Sequence, residues 1–220
     1  MTMTMTTTRI EDEAGLFEPT RPVQDARRRW FRRSVAGVAV AGALLGLATA
    51  MMGNANYSDA YVGGQLERQR ITFKAADAPT DEERKAPCVV ANAGKPLTTG
   101  KQAECYANDF IGTHIRGIGR GKTYAELEDV KTGLVARIAT AQANSDPDLP
   151  KLQKELADLN IQRDTLFKAE MLRGALLTSF GFSSLGEKAG QAATLAYGGA
   201  ALVGVLSLAG MVYGRRSSKA

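Results

Sequence analysis

Residues 34–52 read SVAGVAVAGALLGLATAMM and residues 190–214 read GQAATLAYGGAALVGVLSLAGMVYG, and neither stretch contains a charged side chain. An α-helix rises about 1.5 Å per residue, so about 20 residues cross the hydrocarbon core of a bilayer. A soluble helix of this length normally has a polar face, which both stretches lack. The sequence therefore predicts an all-α membrane protein with transmembrane helices over residues 34–53 and 190–213.

Basic residues flank both apolar stretches on the sides that face the chain termini. They are Arg27, Arg28, Arg29, Arg32 and Arg33 before the first stretch, and Arg215, Arg216 and Lys219 after the second. Basic flanks remain on the cytoplasmic side of a membrane, and both clusters can do so only if the number of spans is even. We therefore predict a multi-pass cell-membrane protein with cytoplasmic termini, residues 1–33 and 214–220, and an extracytoplasmic helical domain over residues 54–189.

The charge of the chain is concentrated in its tails. Residues 53–189 contain 18 basic and 18 acidic residues, so the tails account for the net charge of +5. The basic balance thus follows from topology and does not indicate a nucleic-acid partner. The arginines are suited to contact anionic lipid headgroups, and the bilayer is a predicted partner. The first 25 residues contain few large apolar side chains, and we expect them to be disordered.

The first apolar stretch has a second interpretation. Ala48-Thr49-Ala50 resembles a signal-peptidase site behind a charged segment, and cleavage after Ala50 would leave a single span near the C-terminus. The long segment that precedes the stretch favours an uncleaved anchor. The sequence alone leaves the cleavage open.

Cys88 and Cys105 are the two cysteines of the chain and lie seventeen positions apart. The space outside a cell membrane is oxidising, so we predict a structural disulfide between them. A redox-active pair is the alternative, although such pairs are usually close in sequence, as in C-x-x-C. A metal site built from both cysteines and His114 lacks a fourth ligand and the usual spacing, and we predict none.

Residues 99–102, TGKQ, have the spacing of a capping box and predict a helix from Gly100 to about Arg116. His114, the single histidine, continues the apolar stripe of this helix. A buried histidine with satisfied hydrogen bonds is therefore expected, with a pH sensor or a ligand site as the alternative.

A second capping box, residues 123–126, begins a helix that is predicted to end near Ala143. The polar segment 144–150 separates it from another amphipathic helix, which predicts an antiparallel hairpin. Its expected packing residues are Leu127, Val130, Leu134, Ile138, Leu152, Leu156, Leu159 and Leu166. A coiled coil with a second copy of the chain is the competing use of this stripe, although Arg163 and Glu170 interrupt the repeat.

Small residues within the two apolar stretches are suited to close helix contact. Gly42, Gly46 and Gly199 are the predicted contact positions. Neither stretch contains a charged residue, which argues against a transporter or a proton path.

Four segments that occur in order carry a resemblance to a known family. They are QLERQRITF (65–73), GKPLTTGKQAECYANDFIGTH (94–114), GKTYAELE (121–128) and LRGALLTSFGF (172–182). They resemble a family of small actinobacterial two-span membrane proteins of unknown role, whose members often carry the name aromatic ring-opening dioxygenase. The resemblance covers residues 35–213, with residues 127–170 as an insertion, and it implies the topology but hardly any activity.

The chemistry of that name can be compared with the residues present. A non-haem iron dioxygenase needs two histidines and one carboxylate around its metal, and this chain contains one histidine. A serine hydrolase is equally unsupported, because no G-x-S-x-G segment surrounds any serine. We therefore expect no enzymatic activity, no cofactor and no metal.

The expected role is that of an accessory or scaffold subunit of an actinobacterial cell-envelope complex, with other membrane subunits as partners. A respiratory assembly is one candidate host. The alternative is an extracytoplasmic sensor or small-ligand-binding module.

Overall fold

The computed structural model describes residues 21–75, 77 and 80–216, with the backbone alone for residues 21–27 and 214–216. Its helices are α1 (Arg21–Gln69), α2 (Asp81–Arg84), α3 (Pro87–Ala91), α4 (Gly100–Cys105), α5 (Gly112–Gly119), α6 (Tyr124–Ala143) and α7 (Leu149–Arg216). A π-helical turn, Tyr106–Ile111, joins α4 to α5. Within these residues there is no β-strand, only an isolated bridge between Thr72 and Pro96, so the all-α prediction is confirmed for the described part.

Two of the helices, α1 and α7, are long and apolar enough to cross a membrane by length and composition. Each extends far beyond its predicted span, because polar helical residues continue on from the apolar stretch in both cases. Segment 172–182 therefore lies within the continuous helix α7. The side chains of Arg28, Arg29, Arg32 and Arg33 are exposed, and those of Arg27, Arg215 and Arg216 lie outside the described residues.

The described chain divides into two compact units, residues 21–46 with 196–216 and residues 47–195. In the first unit, glycine and serine residues lie where α1 contacts α7. A Cβ atom added to Gly37 would lie 2.1 Å from Oγ of Ser207, and one added to Gly210 would lie 3.0 Å from Oγ of Ser34. These glycines allow the two backbones to approach closely.

The glycines that were predicted to lie at the helix contact are not the ones that lie there. A Cβ atom added to Gly42 or Gly46 would meet nothing within 4 Å, and one added to Gly199 would meet only Leu44 Cδ1, at 3.9 Å. The prediction is therefore wrong for Gly42 and Gly46 as contacts within this chain. The physical reason is the helical register, which buries Ala41 to 7% exposure and turns the next residue outward.

The second unit contains a hydrophobic core to which α1, α3, α4, α5, α6 and α7 contribute. The largest fully buried side chains of the described residues are Phe73, Leu97 and Leu166 of this core and Glu83 of α2. The C-terminal part of α1 joins α7 through Ser58, whose hydroxyl donates a 2.8 Å hydrogen bond to the carbonyl of Phe182. A Cβ atom on Gly186 would lie 2.7 Å from the Cβ of Ser58, so this glycine permits the close approach.

Helices α6 and α7 form the predicted hairpin. Thr123 caps α6 by accepting from the Glu126 N–H, and the Glu126 side chain accepts from the Thr123 N–H in return. Five predicted packing residues are buried and two more are partly buried against the core: Leu127, Leu134, Leu152, Leu159 and Leu166, then Ile138 and Leu156. Val130 is 40% exposed, so its predicted packing role is wrong.

Arg163, which interrupts the apolar repeat, lies inside the hairpin. It is 8% exposed, pairs with Glu128 of α6, and places its guanidinium carbon 4.9 Å from the centre of the Tyr124 ring. The interruption is thus accommodated within one chain by a salt bridge and a cation–π contact.

Candidate functional site

The most enclosed charged side chain of the described residues is Glu83, which has 0% exposure. It belongs to the single helical turn α2, which Thr80 caps. The Thr80 hydroxyl accepts from the Glu83 N–H at 3.3 Å, and Glu83 Oε2 accepts from the Thr80 N–H at 2.7 Å. The capping boxes predicted from the sequence, residues 99–102 and 123–126, do not include this one. The T-x-x-E spacing of a capping box was the signal that could have identified it.

Lys74 compensates the charge of Glu83. Its Nζ donates to both carboxylate oxygens, at 2.8 and 3.1 Å, and lies 5.1 Å from the centre of the Phe110 ring. Burial by itself raises the pKa of Glu83, but the hydrogen bonds from Lys74 and Thr80 and the charge of Lys74 outweigh it and hold that pKa below its ordinary value. The carboxylate is therefore ionised and fully paired.

A row of four rings lies next to this ion pair: Phe73, then Tyr106 and Phe110 of the π-helical turn, then His114 of α5. The ring centres of Phe73 and Tyr106 are 5.1 Å apart, those of Tyr106 and Phe110 are 4.5 Å apart, and those of Phe110 and His114 are 4.7 Å apart. Burial, followed by the nearby negative charge of Glu83, raises the pKa of Tyr106. Aromatic side chains thus cover the ion pair on the side of the π-helical turn.

His114 lies at the outer end of this row and contradicts the expectation of a buried histidine. Its side chain is 43% exposed. Nδ1 lies 2.8 Å from the carbonyl oxygen of Phe110, and Nε2 lies 3.5 Å from Oε1 of Glu83. Both neighbouring oxygens are hydrogen-bond acceptors.

The predicted cysteine pair is at disulfide distance. The Sγ atoms of Cys88 and Cys105 lie 2.04 Å apart, and their Cα atoms 6.0 Å apart, which links α3 to α4. Asp109 of the π-helical turn brings Oδ2 to 2.9 Å from Cys88 Sγ. These three residues form a group whose ligand atoms lie within 4.8 Å of one another. Two sulfur atoms joined in a disulfide are uncharged, so this group has the donors of a metal site only as a dithiol.

The arrangement around Glu83 can stabilise the fold but offers little to a substrate. The carboxylate has no solvent-exposed surface, and its oxygens are engaged by Lys74 and Thr80. A general acid or base must come within hydrogen-bond reach of a reacting group. We therefore interpret the cluster as a connection between the segment that carries Lys74, α2 and the helix that carries His114.

A shallow cleft of about 920 Å³ lies where the end of α5 meets the hairpin. Leu127, Val130, Leu134, Leu159 and Ile161 contribute apolar surface, and Ile161 is 66% exposed. Charged side chains also line the cleft, four basic and two acidic: Arg120, Lys122, Lys151, Lys154, Glu155 and Asp158. The glycine-rich segment 115–123 supplies one wall, through Gly117, Ile118 and Gly119 at the end of α5 and through Arg120, which has a left-handed backbone conformation.

No family model matches the chain, and no curated protein and no solved structure matches it either. The resemblance to the actinobacterial two-span family consequently remains a prediction.

Proposed function

We propose that this protein is a non-enzymatic accessory or scaffold subunit of a cell-envelope membrane complex, anchored by α1 and α7. The observation that carries the proposal is the exposure of their apolar stretches. In the most apolar windows of the two helices, 11% and 6% of the residues are buried. The core helix of a soluble protein would be mostly buried, whereas a lipid-facing helix must expose its apolar side chains.

The flanking charges support cytoplasmic termini and an extracytoplasmic domain. Arg28, Arg29, Arg32 and Arg33 are exposed at one end of the apolar stretch of α1. The disulfide-distance pair belongs to the segment between the two apolar stretches, which this topology assigns to the oxidising side.

The hairpin cleft supports a docking role for the extracytoplasmic domain. Val130 and Ile161 are large apolar residues that the chain leaves exposed at a concave surface, with 40% and 66% exposure. Partly apolar depressions with a polar rim are typical of protein–protein interfaces. The basic majority among the charged lining residues favours a partner segment with acidic side chains.

A sensor or small-ligand-binding module is the second candidate function. It is favoured by a separate cavity of about 450 Å³ that is lined by charges of both signs. This function does not require a stoichiometric protein partner, which distinguishes it from the first.

Two exposed valines of α6 provide a matched test of the docking role. Val130 lines the cleft and is 40% exposed, while Val135 lies outside it and is 46% exposed. The full chain, or its V130K or V135K variant, is purified from its host membrane in mild detergent and analysed by mass spectrometry. We expect stoichiometric membrane subunits with the native chain and with V135K, and their loss with V130K. Migration of the native chain without any partner would reject the accessory role.

A further inference from the structure

The cavity of about 450 Å³ lies within the second unit, between the C-terminal part of α1, the start of α4 and α7. Its volume falls within the range of about 300–1,000 Å³ that is typical of small-molecule sites. The polar side chains that line it are Asp59, Thr98, Thr99, Lys101, Ser183 and Glu187. It thus combines two carboxylates, one ammonium and three hydroxyl groups.

The cavity lies just beyond the ends of the two apolar stretches, at the depth of the lipid headgroups in a membrane that α1 and α7 span. Glu187 precedes the apolar stretch that begins at residue 190 by three residues, and Asp59 follows residue 53 by six residues. At a rise of about 1.5 Å per residue, these are distances of roughly 5 and 9 Å along the helix axes. Headgroup layers begin where the hydrocarbon core ends, so both carboxylates lie at headgroup depth if α1 and α7 span the membrane.

Exposed aromatic and aliphatic side chains occur at the same depth. Tyr57 and Tyr61 are 68% and 55% exposed, with ring centres 5.8 Å apart, and Phe182 and Leu185 are 60% and 69% exposed. Tyrosine is enriched at the boundary between lipid and water. Their exposure supports a position of this part of α1 and α7 at the membrane surface.

The charges of the cavity are paired only weakly. Lys101 Nζ lies 3.4 Å from Glu187 Oε2, and these side chains are 75% and 46% exposed. Asp59 Oδ1 accepts a long hydrogen bond, 3.5 Å, from the Ser183 hydroxyl. Exposed ion pairs contribute at most about 1 kcal/mol, so a ligand with charges of both signs can separate Lys101 from Glu187 at little cost and pair with each of them.

We propose that this cavity binds the phosphoethanolamine headgroup of a membrane phospholipid. Lys101 holds the phosphate, and Asp59 and Glu187 accept hydrogen bonds from the primary ammonium, while the Thr98 and Thr99 hydroxyls of the wall are engaged by Gln102. A choline headgroup has the same charges, but its three methyl groups leave no N–H to donate. The inference deepens the proposed function and rests on it, because it needs α1 and α7 in the membrane.

The test uses native mass spectrometry of the full chain in detergent with three short-chain phospholipids, which carry ethanolamine, choline or glycerol headgroups. Charge-assisted hydrogen bonds are strong enough for us to expect roughly tenfold tighter binding of the ethanolamine lipid than of the choline lipid. In the D59N/E187Q double variant this preference should fall to less than about twofold. Lys101→Gln should weaken the binding of both the ethanolamine and the choline lipid, because both contain the phosphate.

Glu82→Gln is the matched control, because it removes a carboxylate from another exposed lysine–glutamate pair that lies outside the cavity. It should leave the preference unchanged. A second measurement with the water-soluble compound glycerophosphoethanolamine shows whether the ligand is a membrane lipid or a free headgroup compound. Equal binding of that compound and of the lipid would reject the lipid as ligand.

Two results distinguish failure of this inference from failure of the proposed function. Equal affinity for ethanolamine and choline lipids, or a preference that survives in D59N/E187Q, overturns the inference and leaves the membrane anchor untouched. Release of the intact protein from membranes by alkaline carbonate, without detergent, overturns the anchor and with it the inference. The substituted side chains are exposed or partly exposed, and circular dichroism checks that each variant is folded.

Discussion

The Nζ atom of Lys74 lies 2.8 Å from Oε1 of Glu83, and the Glu83 side chain is completely enclosed while that of Lys74 is 35% exposed. The two residues are nine positions apart, on segments that share no helix. A buried carboxylate keeps its charge only when its partners replace the lost water. Lys74 is therefore the residue on which the enclosure of Glu83 depends.

Replacement of Lys74 by methionine should destabilise the second unit, the domain of residues 47–195, by roughly 3 kcal/mol, because it leaves a buried charge without its counter-ion. Urea unfolding of the detergent-solubilised protein, followed by circular dichroism, measures the change. Lys85→Met is the control, since the Lys85–Glu82 pair is 68% and 65% exposed and should contribute less than about 1 kcal/mol. Equal effects of the two substitutions would contradict the assigned role of Lys74.

The stability of the domain should also depend on pH through Glu83. Folding lowers the pKa of Glu83 below its ordinary value of 4.5, so the unfolded chain binds the proton more readily. The contribution of this group to stability is complete above about pH 4.5 and is lost as the pH falls through the folded pKa. Urea midpoints measured between pH 3 and pH 6 should fall on the acidic side in the native chain, and Glu83→Gln should flatten that part of the curve.

Features of this region that depend on neighbouring residues could be predicted from the sequence, whereas features that depend on residues far apart in the chain could not. The caps at Thr99 and Thr123 were predicted correctly, because a capping box is formed by four neighbouring residues. The burial of Glu83 was missed, since it requires Lys74 and an aromatic cover from the distant π-helical turn. Such contacts leave no periodic signal in the local sequence.

The exposure of His114 has a more specific cause. A regular helix from Gly100 would place His114 on the buried stripe. The π-helical turn Tyr106–Ile111 holds an extra residue, so the buried positions follow one another at intervals of four: Ala103, Ala107, Ile111 and Ile115. His114 is consequently turned to the edge of the stripe. An inserted residue of this kind cannot be recognised from a 3.6-residue pattern.

Loss of the disulfide should destabilise the same domain. The pair closes a loop with a sequence separation of 17 residues, for which the chain-entropy relation gives about 3 kcal/mol. The C88S/C105S variant should therefore unfold at a clearly lower urea concentration than the native chain. Alkylation of the denatured native protein without reductant should label neither cysteine. Labelling of both would contradict the disulfide.

The packing of α1 against α7 in the first unit predicts different effects of substitutions at two glycines of α1, Gly37 and Gly42. A side chain at Gly37 would collide with Ser207, whereas one at Gly42 would meet nothing within 4 Å. Gly37→Leu should therefore separate the helices and lower the thermal stability of the detergent-solubilised protein, and Gly42→Leu should leave it unchanged. Cysteines introduced at Ser34 and Gly210, which lie in close contact across the two helices, provide a direct readout through disulfide cross-linking. Cross-linking should be efficient in the G42L background and weak in G37L. If G42L impairs cross-linking as strongly as G37L, the helix register described above is wrong.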